Sequence, residues 1–231
     1  MIRAVIFDMF ETLITHYQST LYFGSQMAAD AGIAEEHFQA MWQQTDRERT
    51  VGNAALEEVL ADILRVNGRY SEELLGRLVQ NRTEAKRECF RHLHPQILPM
   101  LSGLKERGML TGLISNCFSE EARVIRESIL FPYLDAVFLS WEQGVAKPDK
   151  EIFVRCMNKL GVTPEECLYV GDGGSGELEA AKEIGMKAAQ AVWYLTGHIG
   201  QQVRKPEFVQ LECPFDLWDH LSEEKEIHVE I

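Results

Sequence analysis

The spacing of apolar positions changes twice along this chain. At the N-terminus Ala4-Val5-Ile6-Phe7 form an unbroken apolar run that stops at Asp8. A short run with β-branched and aromatic residues predicts a buried strand, here with a carboxylate at its C-terminal tip. From about Thr20 to Phe90 the spacing becomes helical. Leu56, Val59, Leu60, Ile63 and Leu64 share one helical face, as do Leu74, Leu75, Leu78 and Val79. Asn53 and Ser71 stand where they can cap these two helices. With no strand-like run between them, the segment predicts a module of about four helices.

From His94 onward, strand and helix patterns alternate. Ile97, Leu98, Leu101 and Leu104 form a helical stripe that Gly108 closes. Leu110 to Ile114 predicts a strand, and Ser119 can cap a helix running to about Leu130. Leu134 to Ser140 predicts the next strand, and Pro148 opens a helix that Gly161 stops. Thr163-Pro164-Glu165-Glu166 joins Pro at N1 to a capping-box Glu, so a tight turn starts there. Cys167 to Val170 and Lys187 to Trp193 predict strands on either side of a helix over Glu177 to Ile184. Phe215, Leu217, Trp218 and Leu221 suit a closing helix, and the charged tail Glu223 to Ile231 is expected to add little. Alternation of this kind predicts an α/β fold with a parallel sheet covered on both faces. Because the first strand lies far upstream of the others, the helical module reads as an insertion after it.

Composition narrows the classes of partner. A net charge of −13 argues against general nucleic-acid binding, which needs a basic footprint. No basic n-region and no apolar stretch of membrane-spanning length is visible, so neither a signal peptide nor a membrane partner is expected. Cys89, Cys117, Cys156, Cys167 and Cys213 are odd in number and lack CxxC spacing. Reduced thiols in a cytoplasm are the expectation, in place of a zinc site or disulfide frame.

Polar residues end the predicted strands: Asp8, then Ser115-Asn116, then the loop to Lys147-Pro148, then Asp172-Gly173-Gly174. In a parallel sheet these tips share one edge, where open α/β sheets place their ligands. Each fragment alone reads as a turn, a cap or a solvated lysine; the ordered series places two carboxylates, a hydroxyl and an ammonium together. The series Phe7-Asp8-Met9-Phe10-Glu11-Thr12-Leu13, Ile114-Ser115-Asn116, Ala146-Lys147-Pro148-Asp149 and Val170-Gly171-Asp172 followed by Glu177 resembles the haloacid dehalogenase-like hydrolase superfamily. The resemblance covers essentially the whole chain. It implies a Rossmann-like core, residues 1–13 and 93–231, with a mobile helical cap, residues 14–92, inserted after the first motif.

The resemblance also implies a chemistry that the residue types can perform. Asp8 attacks the substrate and forms a covalent aspartyl intermediate, which water hydrolyses. Asp8, Asp172 and the backbone carbonyl of Phe10 hold Mg²⁺. Ser115 and the amide of Asn116 bind phosphoryl oxygens, Thr12 supports the loop around Asp8 and belongs with the substrate-binding set, and Lys147 neutralises charge on the nucleophile and the transferring group. Glu177 stands where family phosphatases carry an Asp and is expected to orient a metal-bound water or Lys147 from behind the ligands.

One position departs from the family pattern. Phosphatases of the superfamily carry a second Asp two residues after the nucleophile as general acid and base; here that residue is Phe10, which cannot transfer a proton. Three readings follow. The first is a Mg²⁺-dependent phosphatase of a small phosphorylated metabolite that lacks this acid, with Glu11, His16, Tyr17 or Glu48 as alternative donors. The second is a metal-independent 2-haloacid dehalogenase, since those members carry an aromatic Tyr there and halide leaves without a proton. The third is a non-catalytic binder of a phosphorylated ligand or a protein. Arg47 and Arg49 are candidates to clamp an anionic substrate. The assembly is expected to be a monomer or homodimer.

Overall fold

The structure, a computed structural model, describes residues 1–198 and 200–221; the tail Glu223 to Ile231 lies outside the described residues. Six parallel strands form one sheet: β1 (Ala4–Phe7), β2 (Leu110–Ser115), β3 (Ala136–Leu139), β4 (Cys167–Gly171), β5 (Lys187–Ala191) and β6 (Val209–Leu211), in the order β3-β2-β1-β4-β5-β6. This is a Rossmann-like α/β arrangement. The chain runs outward in one direction through β2 and β3 and in the other through β4 to β6, so β1 and β4 flank the topological switch point. Phe7 is in register with Leu113 on one side and Val170 on the other. Asp8, Ser115 and Asp172 therefore leave the sheet at nearly the same height.

Alternation along β1 divides its side chains between two cores. Val5 and Phe7 join Leu113, Leu168, Val170 and Ile125 on one face; Ala4 and Ile6 join Ile114, Tyr169, Phe153 and Leu178 on the other. All four residues of β1 are fully buried. Each large apolar side chain among them contributes about 1.5–3 kcal/mol relative to exposure. The faces are covered by α6 (Ile97–Glu106), α7 (Ser119–Glu127), α8 (Ser140–Gln143), α9 (Lys150–Leu160), α10 (Glu177–Glu183) and α11 (Leu217–Leu221).

Between β1 and α6 the chain builds α1 (Gly24–Ala31), α2 (Glu35–Gln44), α3 (Asp46–Thr50), α4 (Leu56–Val66) and α5 (Glu72–Cys89). Met27, Phe38, Leu56, Leu60, Leu64 and Leu78 give these helices a hydrophobic cluster of their own. There are five helices instead of about four, because α3 has only five residues, too few to display a period. The strand β6, three residues long, was missed for the same reason.

Two expected caps are corrected. Asn53 does not cap α4: Ala55 holds the N-cap position and receives the Glu58 carboxylate on its N–H at 2.9 Å, while Asn53 donates to Glu48 Oε2 at 2.7 Å. Ser119 is the first residue of α7, not its cap. Its Oγ accepts from the N–H of Leu56 across the fold at 3.0 Å, and Glu121 closes the helix start on Phe118. Ser71 does cap α5, accepting from Leu74 N–H at 3.1 Å. Strands β3 and β5 are each shorter than expected, and beyond β5 Trp193 turns to donate its indole N–H to the Thr12 carbonyl at 2.8 Å.

Candidate active site

The strand ends bring Asp8, Lys147, Asp172 and Glu177 into one buried cluster. Asp8 follows β1 and donates its N–H to the Val170 carbonyl at 2.9 Å, which fixes the tip of β1 against β4. Its Oδ1 accepts from Met9 N–H at 2.7 Å and meets Lys147 Nζ at 2.6 Å. The Lys147 ammonium also pairs with Glu177 and donates to Tyr169 Oη at 3.2 Å. Glu177, the first residue of α10, accepts from Gly173 N–H at 3.2 Å. Gly171 makes this approach possible, since a Cβ there would overlap Glu177 Oε1 and lie 3.0 Å from its Cδ.

The loop that presents Lys147 is held by Asn116. Its Oδ1 accepts from Lys147 N–H at 2.8 Å and its Nδ2 donates to the Lys147 carbonyl at 2.9 Å. The side chain of Asn116 is thus occupied in placing Lys147. Ser115 is fully buried beside it, with only a long contact of 3.4 Å to the Asn116 carbonyl. Thr12 is also fully buried, and its hydroxyl has no hydrogen-bond partner among the described residues. An orphaned buried hydroxyl in the turn after β1 is what a bound polar group would satisfy.

Charge is unbalanced at this point. Asp8, Asp172 and Glu177 can offer one carboxylate oxygen each within 4.8 Å of one another. Counted formally, three carboxylates against the single Lys147 ammonium leave two negative charges in a buried site. Burial, and then the Glu177 charge, drive the Asp8 pKa well above the ordinary carboxylate range despite Lys147. The same two causes push Asp172 up to about 7. Burial opposes the charge of Lys147, but Asp8 and Glu177 outweigh it and hold its pKa above the ordinary value. A divalent cation would restore neutrality, and hard oxygen donors are the set that Mg²⁺ prefers. The residues present fit such an ion.

A cavity of about 550 Å³ lies between these strand tips and the helices α2, α3 and α5. Lys147, Asn116 and Ser175 line it from the sheet side; Trp42, Arg47 and Lys86 line it from the helical side. A larger groove of about 750 Å³, around Phe90, His94, Leu98 and Ile129, holds none of the strand-tip residues and has no part in this site. Three buried ion pairs fasten the helical segment beside the cavity: Arg82 of α5 meets Glu120 and Glu121 of α7 at 3.0 and 3.3 Å, and Lys86 meets Glu121 at 2.7 Å.

Phe10 and its neighbours line one end of the cavity. The Phe10 ring stacks on His16 with centroids 4.7 Å apart. Glu11 has a left-handed backbone, φ 56°. Its carboxylate accepts from Thr15 Oγ1 at 2.6 Å and His16 N–H at 2.9 Å. Burial raises its pKa, but the hydrogen bonds from His16 and Thr15 prevail and leave it lowered.

The other candidates divide. Arg47 is exposed at the cavity and shows no ion pair among the described residues. Arg49, by contrast, is 1% exposed, its guanidinium sandwiched 3.6 Å from the Trp42 ring and 4.0 Å from the Phe118 ring. It is built into the wall, donating to the Trp42 carbonyl at 2.9 Å, and burial lowers its pKa to about 10. Tyr17 stacks on His198, and Glu48 accepts from Asn53. Reading the sequence missed Arg82, Lys86, Glu120, Glu121 and Tyr169. Charges spaced i, i+4 on a helix, as Arg82 and Lys86 are, normally mark a solvated face; docking of α5 on α7 buries them with Glu120 and Glu121, while Tyr169 lies in the core on β4.

Comparison with known proteins bears on the family and the fold. A family model described as haloacid dehalogenase-like hydrolase matches residues 2–185. The glyceraldehyde 3-phosphate phosphatase of Methanopyrus kandleri is 30% identical over 202 residues, covering 80% of this chain and 82% of the relative. The phosphoglycolate phosphatase of Aquifex aeolicus is 26% identical over 219 residues, covering 93% and 94%. Among solved structures, a phosphatase from Thermococcus onnurineus superposes with a TM-score of 0.67 at 19% identity, covering 96% of this chain and 98% of that one. An enzyme from Bacteroides thetaiotaomicron, in complex with magnesium and inorganic phosphate, gives 0.64 at 19% identity, covering 87% and 97%. The L-2-haloacid dehalogenase of Xanthobacter autotrophicus gives 0.55 at 21% identity, covering 94% and 97%. At these identities the structural likenesses are of fold alone.

Proposed function

The chain belongs to the haloacid dehalogenase-like hydrolases, and from that premise we propose that it is a Mg²⁺-dependent phosphatase of a small phosphorylated metabolite. The observation that carries this reading is the buried set Asp8, Asp172 and Glu177, whose excess negative charge calls for a divalent cation. Asp8 and Asp172, with the carbonyl of Phe10, would hold Mg²⁺, and Glu177 would act from behind through Lys147. When bound, the cation neutralises the repulsion between an anionic nucleophile and an anionic phosphate. Two curated relatives named as phosphatases support the same choice.

In this reading the chain's own residues act as follows. Asp8 attacks phosphorus and carries the phosphoryl group as an aspartyl phosphate. Lys147, fixed by Asp8, Glu177 and the Asn116 side chain, sets a positive charge beside the transferring group. Ser115 and the backbone amide of Asn116 hold phosphoryl oxygens, and the unpartnered Thr12 hydroxyl supports them. Residues 14–92 act as the cap, closing the cavity and excluding water.

Phe10 is the observation that favours a second reading, a 2-haloacid dehalogenase, because halide needs no proton to leave. Retention of Asp172 beside Asp8 weighs against it. The test uses p-nitrophenyl phosphate with and without Mg²⁺, and 2-chloropropionate with halide detection. Mg²⁺-dependent phosphate release that disappears in Asp8→Asn is the expected result; metal-independent halide release would overturn it.

A further inference from the structure

We propose, resting on the phosphatase reading above, that the substrate's leaving oxygen departs as an anion without being protonated, so that the enzyme selects phosphates of acidic hydroxyls, phenolic, enolic or acyl, over esters of simple alcohols. The proposal comes from the groups that line the end of the cavity at Phe10. The Phe10 ring stacks on His16, and His16 meets Phe23 edge-on with centroids 5.5 Å apart. Lys86 Nζ lies 5.4 Å from the Phe10 centroid and 5.0 Å from that of Phe23. All four residues border the cavity.

Each carboxyl and imidazole at the cavity is committed elsewhere, and the Lys86 ammonium is itself held between Glu121 at 2.7 Å and His16 Nε2. His16 Nε2 lies 2.7 Å from Lys86 Nζ, and an ammonium can only donate, so that nitrogen is the acceptor and carries no proton. The ring proton is on Nδ1, 3.3 Å from the Glu11 carboxylate. Glu11 itself is turned to Thr15 and the His16 backbone. Glu121 is ion-paired to Lys86 and Arg82, and Asp46 to Arg49. Ser175, Thr50 and Cys117 offer only weakly acidic protons. Among the described residues the cavity thus presents positive charge, from Lys86 and the unpaired Arg47, but no uncommitted carboxyl or imidazole acid. Fixed cations stabilise an oxyanion as it develops. They help most where the leaving oxygen can bear the charge.

The chemistry balances without an acid or a base. In the first step the Asp8 carboxylate bonds to phosphorus, the bond from phosphorus to the leaving oxygen breaks, and its electron pair leaves on that oxygen. In the second, water attacks phosphorus, the bond to Asp8 breaks, and both protons of water remain on the released phosphate, as H₂PO₄⁻. The aromatic wall of Phe10, Phe23, Trp42 and Phe118 suits a flat or unsaturated leaving group.

The test compares kcat/KM, which covers only the steps up to departure of the leaving group, for the wild-type enzyme with Mg²⁺. Phenyl phosphate and benzyl phosphate carry the same ring but differ widely in the acidity of the leaving oxygen; p-nitrophenyl, acetyl and enolpyruvate phosphates extend the acidic series. A general acid is worth about 10²–10⁴-fold, so benzyl phosphate is expected to trail p-nitrophenyl phosphate by at least about 10²-fold. A smaller gap overturns the proposal and leaves the phosphatase reading standing. No turnover of any phosphate overturns both. Whether the phenolic, enolic or acyl arm is fastest identifies the source of the leaving group.

Discussion

The carboxylate of Glu121 stays charged in the interior because Lys86 and Arg82 both reach it, at 2.7 and 3.3 Å. Burial alone would raise its pKa; the two cations prevail and hold it at about 2, against an ordinary value of 4.5. A depressed folded-state pKa stabilises the protein above the unfolded value, and that stability is lost as pH falls. Glu121→Gln is therefore expected to cost about 3–5 kcal/mol at pH 7, because buried Lys86 loses its carboxylate partner and Arg82 keeps only Glu120. In denaturant titrations the gap between wild type and variant should narrow as pH drops from about 4.5 toward 2. A gap that is constant over that window refutes the assignment of charge to Glu121. At the same scale, Phe10 was legible as a missing acid from the chain alone. That Glu11 is taken up by Thr15 and His16 was not, because its left-handed backbone is imposed by the loop and not by its residue type.

Elements position these side chains by meeting at defined points. Strand β4 ends on Gly171, where the lack of a Cβ lets Glu177 of α10 come up beneath the strand tip and hold Lys147. Gly171→Ala should force Glu177 aside, destabilise the fold by about 1–3 kcal/mol through overpacking, and lower kcat by misplacing Lys147. Denaturation midpoint and turnover, read together, check both effects; an alanine variant with wild-type values of each rules out this role for Gly171. Helix α5 serves the site differently. Its Arg82 and Lys86 carry charge into the interior, where α7 answers with Glu120 and Glu121. The periodicity of Leu74, Leu75, Leu78 and Val79 announced this helix correctly, but a period describes an apolar face. It does not say which polar residues on the other faces will be buried.

For the whole molecule, the switch point between β1 and β4 concentrates three carboxylates and one ammonium in a place with little water. That arrangement costs stability when no cation is bound. Asp172, raised to about 7, favours the folded state in its protonated form, so this contribution is present at low pH and fades as pH rises through about 7. Mg²⁺ is expected to raise the melting temperature, and to raise it more at pH 8 than at pH 5, where protons compete for the same carboxylates. At a concentration 100 times its Kd the ion would contribute about 2.7 kcal/mol. Asp172→Asn should remove most of the Mg²⁺ response. A melting temperature indifferent to Mg²⁺ at pH 8 contradicts the metal site.

The strands, most of the helices and the order of the strand-end residues could be read from the chain alone, because period and turn chemistry are local properties. Asp8, Ser115, Lys147 and Asp172 are legible as candidates in this way: each ends or follows an element whose pattern is local, and a parallel sheet aligns its C-terminal edges by geometry. Only the tertiary structure decided which polar groups lose their water. It sealed Arg49 between two rings, turned Asn116 onto the Lys147 backbone and buried Arg82 and Lys86 against α7. Those outcomes depend on what approaches from distant parts of the chain, and desolvation, which sets the charge and the partners of each group, exists only after that approach.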